Sequence, residues 1–170
     1  MGALTQTQGT VRKNLQVTAD QIRGALHDSD ALCEFVRYFH ALSAGGNESH
    51  YGVLIFRKDA ATAWVPLGEA TTIDAAVLRL NQGISGTVEL SEEGLEENLT
   101  LLHARLMAPI APALDGVSRL IISPDGDLSS LSFAVLLDEG GKFAAERWDL
   151  GYVSTHSHQL KALTNCIGMS

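Results

Sequence analysis

Apolar and polar positions along this chain switch between a strand period and a helix period, and the switches mark its elements. The run Leu120-Ile121-Ile122, rich in β-branched residues and closed by Ser123-Pro124-Asp125-Gly126, predicts a buried strand that ends in a tight turn. Pro124 presets φ at the second turn position, Asp125 can bond neighbouring backbone, and Gly126 accepts dihedrals that other residues avoid. Beyond the turn, Leu128, Leu131, Phe133, Leu136 and Leu137 return an apolar surface to the strand.

Upstream, residues 1–16 are rich in Thr, Gln and Gly without periodicity, which predicts a flexible N-terminal segment or the frayed end of a preceding helix. Thr18-Ala19-Asp20-Gln21 has the form of a capping box opening a short helix through Leu26, and Asp28-Ser29-Asp30 stops it. Residues 31–38 and 51–57 then read as hairpin partners joined by a polar Gly-Gly connection. Residues 64–68 read as a third strand, in which Pro66 demands an edge position or a strand end. Three short neighbouring strands predict an antiparallel meander. Thr71-Thr72 is expected to cap a helix over 73–82 with Ile73, Ala76, Val77 and Leu80 on one face, and a mobile connector is expected over 83–90.

Ser91, Glu92 and Glu93 make a helix start, since a hydroxyl cap and early carboxylates both favour the positive N-terminal end. Leu95, Leu99, Leu102 and Leu106 share a face of that helix, and Pro109 and Pro112 end it near Ala108. A strand over 119–122 and another over 150–153 are expected side by side and parallel, linked by a right-handed crossover. Ser157 can cap a last helix over 157–163, and residues 164–170 show no pattern. The fold class is therefore α/β with α+β character in its N-terminal half: a short antiparallel meander plus helices leading into the start of a parallel sheet. At 170 residues and 45% apolar content, one domain with a sizeable core is expected.

The run PDGDLSSLSFAVLLDEGGKF, followed by Trp148-Asp149-Leu150-Gly151-Tyr152-Val153-Ser154, resembles the opening half of a CHAT domain, the caspase-like module often found behind tetratricopeptide repeats. In that family an apolar strand runs into Pro-Asp-Gly, then Leu, a Leu-Pro-Phe, a short Asp-Gly segment and a second strand followed by Ser. Ser132 stands here where proline is usual. The segment Ala31-Leu32-Cys33-Glu34-Phe35-Val36, the 51–57 strand and the Pro-containing 102–114 segment agree with the same pattern, so the resemblance covers most of residues 19–160. It implies the start of a caspase-like parallel sheet over residues 18–163, between a flexible segment at 1–17 and an unpatterned tail at 164–170. It also implies a catalytic His after one later strand and a catalytic Cys after the next, both beyond Ser170. No activity for this chain alone is implied.

A formal net charge of −8, from 12 Lys+Arg against 20 Asp+Glu, argues against nucleic acid or an anionic membrane as main partner, because both select clustered positive charge. Cys33 and Cys166 form no Cys-x-x-Cys pair and no framework of crosslinks, so a reducing cytoplasm is the expected compartment. The first 16 residues hold no apolar core of a secretory signal or membrane span, and Gln6 breaks the myristoylation pattern. Without that route, the sequons at Asn47 and Asn98 are read as chance.

Among groups with chemistry, His156 and His158 follow a strand end, where α/β proteins often build sites. With Cys166 either could form a pair in which imidazole takes the thiol proton, but the caspase-type arrangement places the two after separate adjacent strands, and no strand precedes Cys166. A helix-capping, partly exposed histidine pair is the plainer reading. The same His-x-His spacing supplies two metal ligands without a third, so no metal site is expected. Asp125-Gly126-Asp127 fails the calcium-loop pattern, with Ser130 where Gly is required and Leu136 where Glu is required. No nucleotide-binding glycine motif occurs and no cofactor is expected. Cys33 reads as a small buried hydrophobe, and Glu92, Glu93, Glu96 and Glu97 as a solvated helical face.

Three functions remain. The chain is the non-catalytic N-terminal part of a CHAT-type cysteine peptidase, as a scaffold, a regulatory piece or a truncated remnant. It is a free-standing interaction module pairing through an exposed sheet edge. Or it is a small hydrolase using His156 or His158 with Cys166 or Ser157. The expected partner is protein: the remaining catalytic half, a repeat-containing chain, or a second copy.

Overall fold

A computed structural model describes residues 18–42 and 45–153. Among the described residues the first helix, α1, spans Ala19–Ala25 and opens with the expected capping box: the Thr18 hydroxyl accepts from the Gln21 N–H, and the Gln21 side chain accepts from the Thr18 N–H. β1 (Asp30–Ala41) and β2 (Asn47–Arg57) pair antiparallel, and β3 (Ala63–Glu69) adds to β2 as an edge strand. The position of Pro66 in that edge strand follows from its missing N–H.

Helix α2 (Ala70–Ile84) starts earlier than Thr71-Thr72 predicted. Gly68 takes φ +92°, a left-handed conformation that turns β3 straight into the helix, so Glu69 occupies the cap without a side-chain bond and both threonines fall inside the first turn. The helix also runs through Gly83 to Ile84, shortening the expected connector. Helix α3 (Glu92–Leu106) is capped by the Ser91 hydroxyl, which accepts from the Gly94 N–H. Its buried face is Asn98, Leu99, Leu102 and Leu106, while Leu95 in the first turn is partly exposed. Asn98 is buried because its side-chain amide donates to the Ala76 carbonyl of α2 at 2.9 Å, which satisfies the polar group and fastens the two helices together.

With β4 (Arg119–Ser123) and β5 (Asp149–Tyr152), the described residues form a five-stranded sheet of order β3-β2-β1-β4-β5. β1, β4 and β5 run parallel, with Leu32 opposite Ile121 and Ile121 opposite Gly151. Between β4 and β5 lie two 3₁₀ turns, Gly126–Ser130 and Phe133–Val135, and the single-turn helix α4 (Ala144–Arg147). The antiparallel meander leading into a parallel layer is thus present as the apolar patterning predicted.

Side-chain alternation sends the two faces of the sheet to different partners. Ala31, Cys33, Phe35, Val53 and Ile55 join Ile73, Val77, Leu80, Leu102, Leu106, Phe133 and Trp148 in the main core. Phe35 and Phe133 meet with ring centroids 4.9 Å apart, which keys the segment after β4 onto β1. On the opposite face, Leu32, Leu54 and Phe56 pack against Ile22 of α1 and Leu26 just beyond its end in a smaller cluster. The Trp64 indole lies over Gly52 there, in space that any Cβ at Gly52 would overlap. Burying each of these large side chains contributes roughly 1.5–3 kcal/mol before entropy is counted. The N-terminal segment 1–17, the helix expected over 157–163 and the tail at 164–170 lie outside the described residues.

Candidate functional site

The carboxyl end of β4 lies beside the middle of the longer β1, and the Pro124-Asp125-Gly126 turn folds over that junction. β1 carries its core-facing residues at Cys33 and Phe35, and the same alternation brings Arg37 to this end of the sheet. Tyr51 lies directly across from Arg37 on β2, fully buried, and the Arg37 guanidinium sits 5.8 Å from the centre of its ring. Asp74 is one residue past Ile73 in α2, which directs it from the helix toward the same point.

These side chains close a ring of hydrogen bonds. The Tyr51 hydroxyl donates to Asp74 Oδ1 at 2.9 Å and accepts from the backbone N–H of Asp127 at 3.2 Å. Arg37 Nη2 contacts Asp74 Oδ2 at 3.0 Å, while its Nε donates to the Ser49 hydroxyl at 2.8 Å. The Arg37 backbone N–H, past the end of the β1–β4 ladder, donates to the Asp125 carboxylate at 3.1 Å. Asp125 therefore spans from the turn to another strand, beyond the local turn role its position predicted. Gly126 adopts φ +60°, and a Cβ there would stand 2.7 Å from the Tyr51 hydroxyl, so both dihedral and space require glycine. Burial first, and then the bond to the Asp74 carboxylate, push the Tyr51 phenol far above its ordinary range, so it stays a neutral donor; the Asp127 N–H and Arg37 pull weakly the other way.

A shallow cleft of about 290 Å³ opens beside this ring between α2 and the turn, lined by Asp74, Val77, Leu78, Asn81, Asp127 and Ser130. The Asn81 amide donates to the Ser130 hydroxyl at 2.9 Å, and that hydroxyl donates to the Asp127 carbonyl at 2.8 Å. At the far side of the turn, the Phe133 N–H donates to the Tyr152 hydroxyl at 2.9 Å, joining the segment to β5. The geometry holds a polar turn rigidly at the end of the sheet; its groups are satisfied by one another and none is arranged as a nucleophile with its base.

His156, His158, Cys166 and Ser157 lie outside the described residues, so the structure does not place the sequence-derived candidates together or apart. Cys33 is fully buried in the main core, where desolvation pushes its thiol up to about 12, the behaviour of a packing residue. His40 and His50 stack at 4.9 Å on the open end of the hairpin, and His50 Nε2 lies 3.3 Å from Glu48 Oε2. Among the described residues, no three His, Cys, Asp or Glu side chains are grouped to hold a metal ion. Arg37, Tyr51 and Asp74 were missed in the sequence. Their one signal is phase: Arg37 is a charged residue in register with the buried alternation of β1, and Asp74 adjoins the buried stripe of α2.

No helix among the described residues is long and apolar enough to cross a membrane. A comparison with curated proteins finds no match. The family model of the CHAT domain matches residues 96–166. That span begins inside α3 and takes in β4, the Pro-Asp-Gly turn and β5, so the resemblance carried by the turn motif and the family match fall on the same elements.

Proposed function

We propose that this chain serves as the non-catalytic N-terminal part of a CHAT-type, caspase-like cysteine peptidase, acting as a scaffold or regulatory piece. The observation that supports this most is the CHAT match falling on β4 and β5, which extend β1 in a parallel layer with β5 at the sheet's edge among the described residues. Parallel layers are normally flanked by further structure on both faces and at their edges, and β5 is short, with Tyr152 and Val153 half exposed. The described part of the chain contributes a sealed thiol and a rigid polar turn to that layer. The role it supports is to hold a sheet in place for other strands.

A second reading is a free-standing interaction module that pairs through the same edge. The contrast between the two edges favours β5 as the pairing one, since β3 is interrupted by Pro66 and by a register shift opposite Tyr51 and Gly52, whereas β5 has neither.

Sedimentation velocity of the chain over a range of concentrations, alone and as Tyr152→Pro, separates these readings, because the N–H groups of Asp149 and Val153 donate to β4 and the alternation turns that of Tyr152 to the outer edge. Self-association that Tyr152→Pro abolishes supports the module. A monomer in both forms supports the scaffold reading. Peptide hydrolysis by the chain that is lost in Cys166→Ala overturns both.

A further inference from the structure

We infer that the Arg37–Asp74–Tyr51 ring is a coupling device through which helix α2 sets the position of the Pro124–Gly126 turn. The inference goes beyond the proposed scaffold role and stands whether or not that role is correct. Asp74 is the one member of the ring that belongs to α2, and it is bonded through both oxygens: Tyr51 on Oδ1 at 2.9 Å and Arg37 on Oδ2 at 3.0 Å. Each of those partners then reaches the turn by a separate path. Tyr51 does so through its hydroxyl to the Asp127 N–H at 3.2 Å, and Arg37 through its backbone N–H to the Asp125 carboxylate at 3.1 Å.

The two paths meet the chain on either side of Gly126, the residue whose positive φ sets the direction of the turn. A shift of α2 therefore pulls on both flanks of Gly126 together. The cleft between α2 and the turn has Asp74 on one wall and Asp127 on the other, so the opening of that cleft is governed by the same ring. The adjacent Asn81–Ser130–Asp127 bonds are exposed and act in parallel with it.

The test is native-state amide exchange on the full chain in four forms: unaltered, Tyr51→Phe, Asp74→Ala and the double variant. Tyr51→Phe keeps the buried ring and removes only the hydroxyl. Asp74→Ala leaves the Tyr51–Asp127 contact free to form, so a purely local contact would not be disturbed by it. The ring predicts that Asp74→Ala speeds exchange across residues 127–131 by about tenfold relative to the amides of Phe35 and Val53, the scale of one buried hydrogen bond. It also predicts that the double variant exchanges no faster than the faster single. Leu26→Ala, which loosens the smaller cluster on the opposite face of the sheet and touches neither α2 nor the ring, controls for general destabilisation. Exchange at 127–131 unchanged in Asp74→Ala, equally raised in Leu26→Ala, or additive in the double variant overturns the inference.

Discussion

The Tyr51 hydroxyl donates to Asp74 Oδ1 at 2.9 Å and thereby ties the second strand of the sheet to the helix that covers it. The bond is made at the edge of the core, by a phenol whose ring is fully buried, so its loss leaves both a carboxylate oxygen and the Asp127 N–H short of a partner. Tyr51→Phe is therefore expected to lower the unfolding free energy by about 1–2 kcal/mol, the usual scale for buried hydrogen bonds removed from one side. Urea unfolding followed by circular dichroism checks this, with an unchanged m-value showing that the denatured state is not altered.

Gly126 faces that same hydroxyl. Gly126→Ala would place a methyl 2.7 Å from it while holding an L-residue at φ +60°. The left-handed conformation alone costs roughly 1–2 kcal/mol, and the contact adds to it. Gly116, also at positive φ but with open space around it, is the internal comparison: Gly116→Ala should cost less than Gly126→Ala in the same unfolding experiment.

Cys33 gives a chemical prediction. With its thiol buried and shifted up to about 12, alkylation by iodoacetamide at pH 8 should leave Cys33 unmodified in the folded chain and modify it fully in denaturant, as read by peptide mass spectrometry. Labelling of folded Cys33 at a rate near that of a free thiol would contradict the packing described for β1.

His103 supplies the pH dependence. Burial against α3's surroundings lowers its imidazole below the usual 6.5; Asp138 and Glu139 oppose this and Arg147 adds to it. The unfolded chain then binds the proton more readily than the folded one. The contribution of His103 to stability is full above pH 6.5 and is lost as pH falls below that value through the depressed folded one. In His103→Gln the fall in stability on acidification should be shallower, which a series of urea titrations between neutral and mildly acidic pH would show.

Much of this architecture was readable in advance, and the reasons are local. The Thr18 and Ser91 caps, the β1–β2 hairpin and the edge position of Pro66 each rest on chemistry within a few residues, so periodicity and turn residues located them. The start of α2 was misplaced because Gly68 made the turn that Thr71 and Thr72 were expected to make. Asn98 escaped notice because a polar residue on a leucine stripe looks like an interruption until the Ala76 carbonyl is seen beneath it. The ring of Arg37, Tyr51 and Asp74 was illegible for a different reason. Its members come from two strands and a helix and meet a turn far along the chain, and no spacing in the sequence encodes that meeting. The turn itself was legible as Pro-Asp-Gly; what it docks against was not.

The central claim, that this chain contributes structure and not catalysis to a CHAT-type assembly, is tested most directly by hydrolysis. The purified chain is incubated under reducing conditions with a peptide library drawn from a digested proteome, and new termini are read by mass spectrometry beside His156→Ala and Cys166→Ala proteins. The account predicts the same background in all three. Cleavage at defined sites by the unaltered chain, absent from either variant, would contradict it.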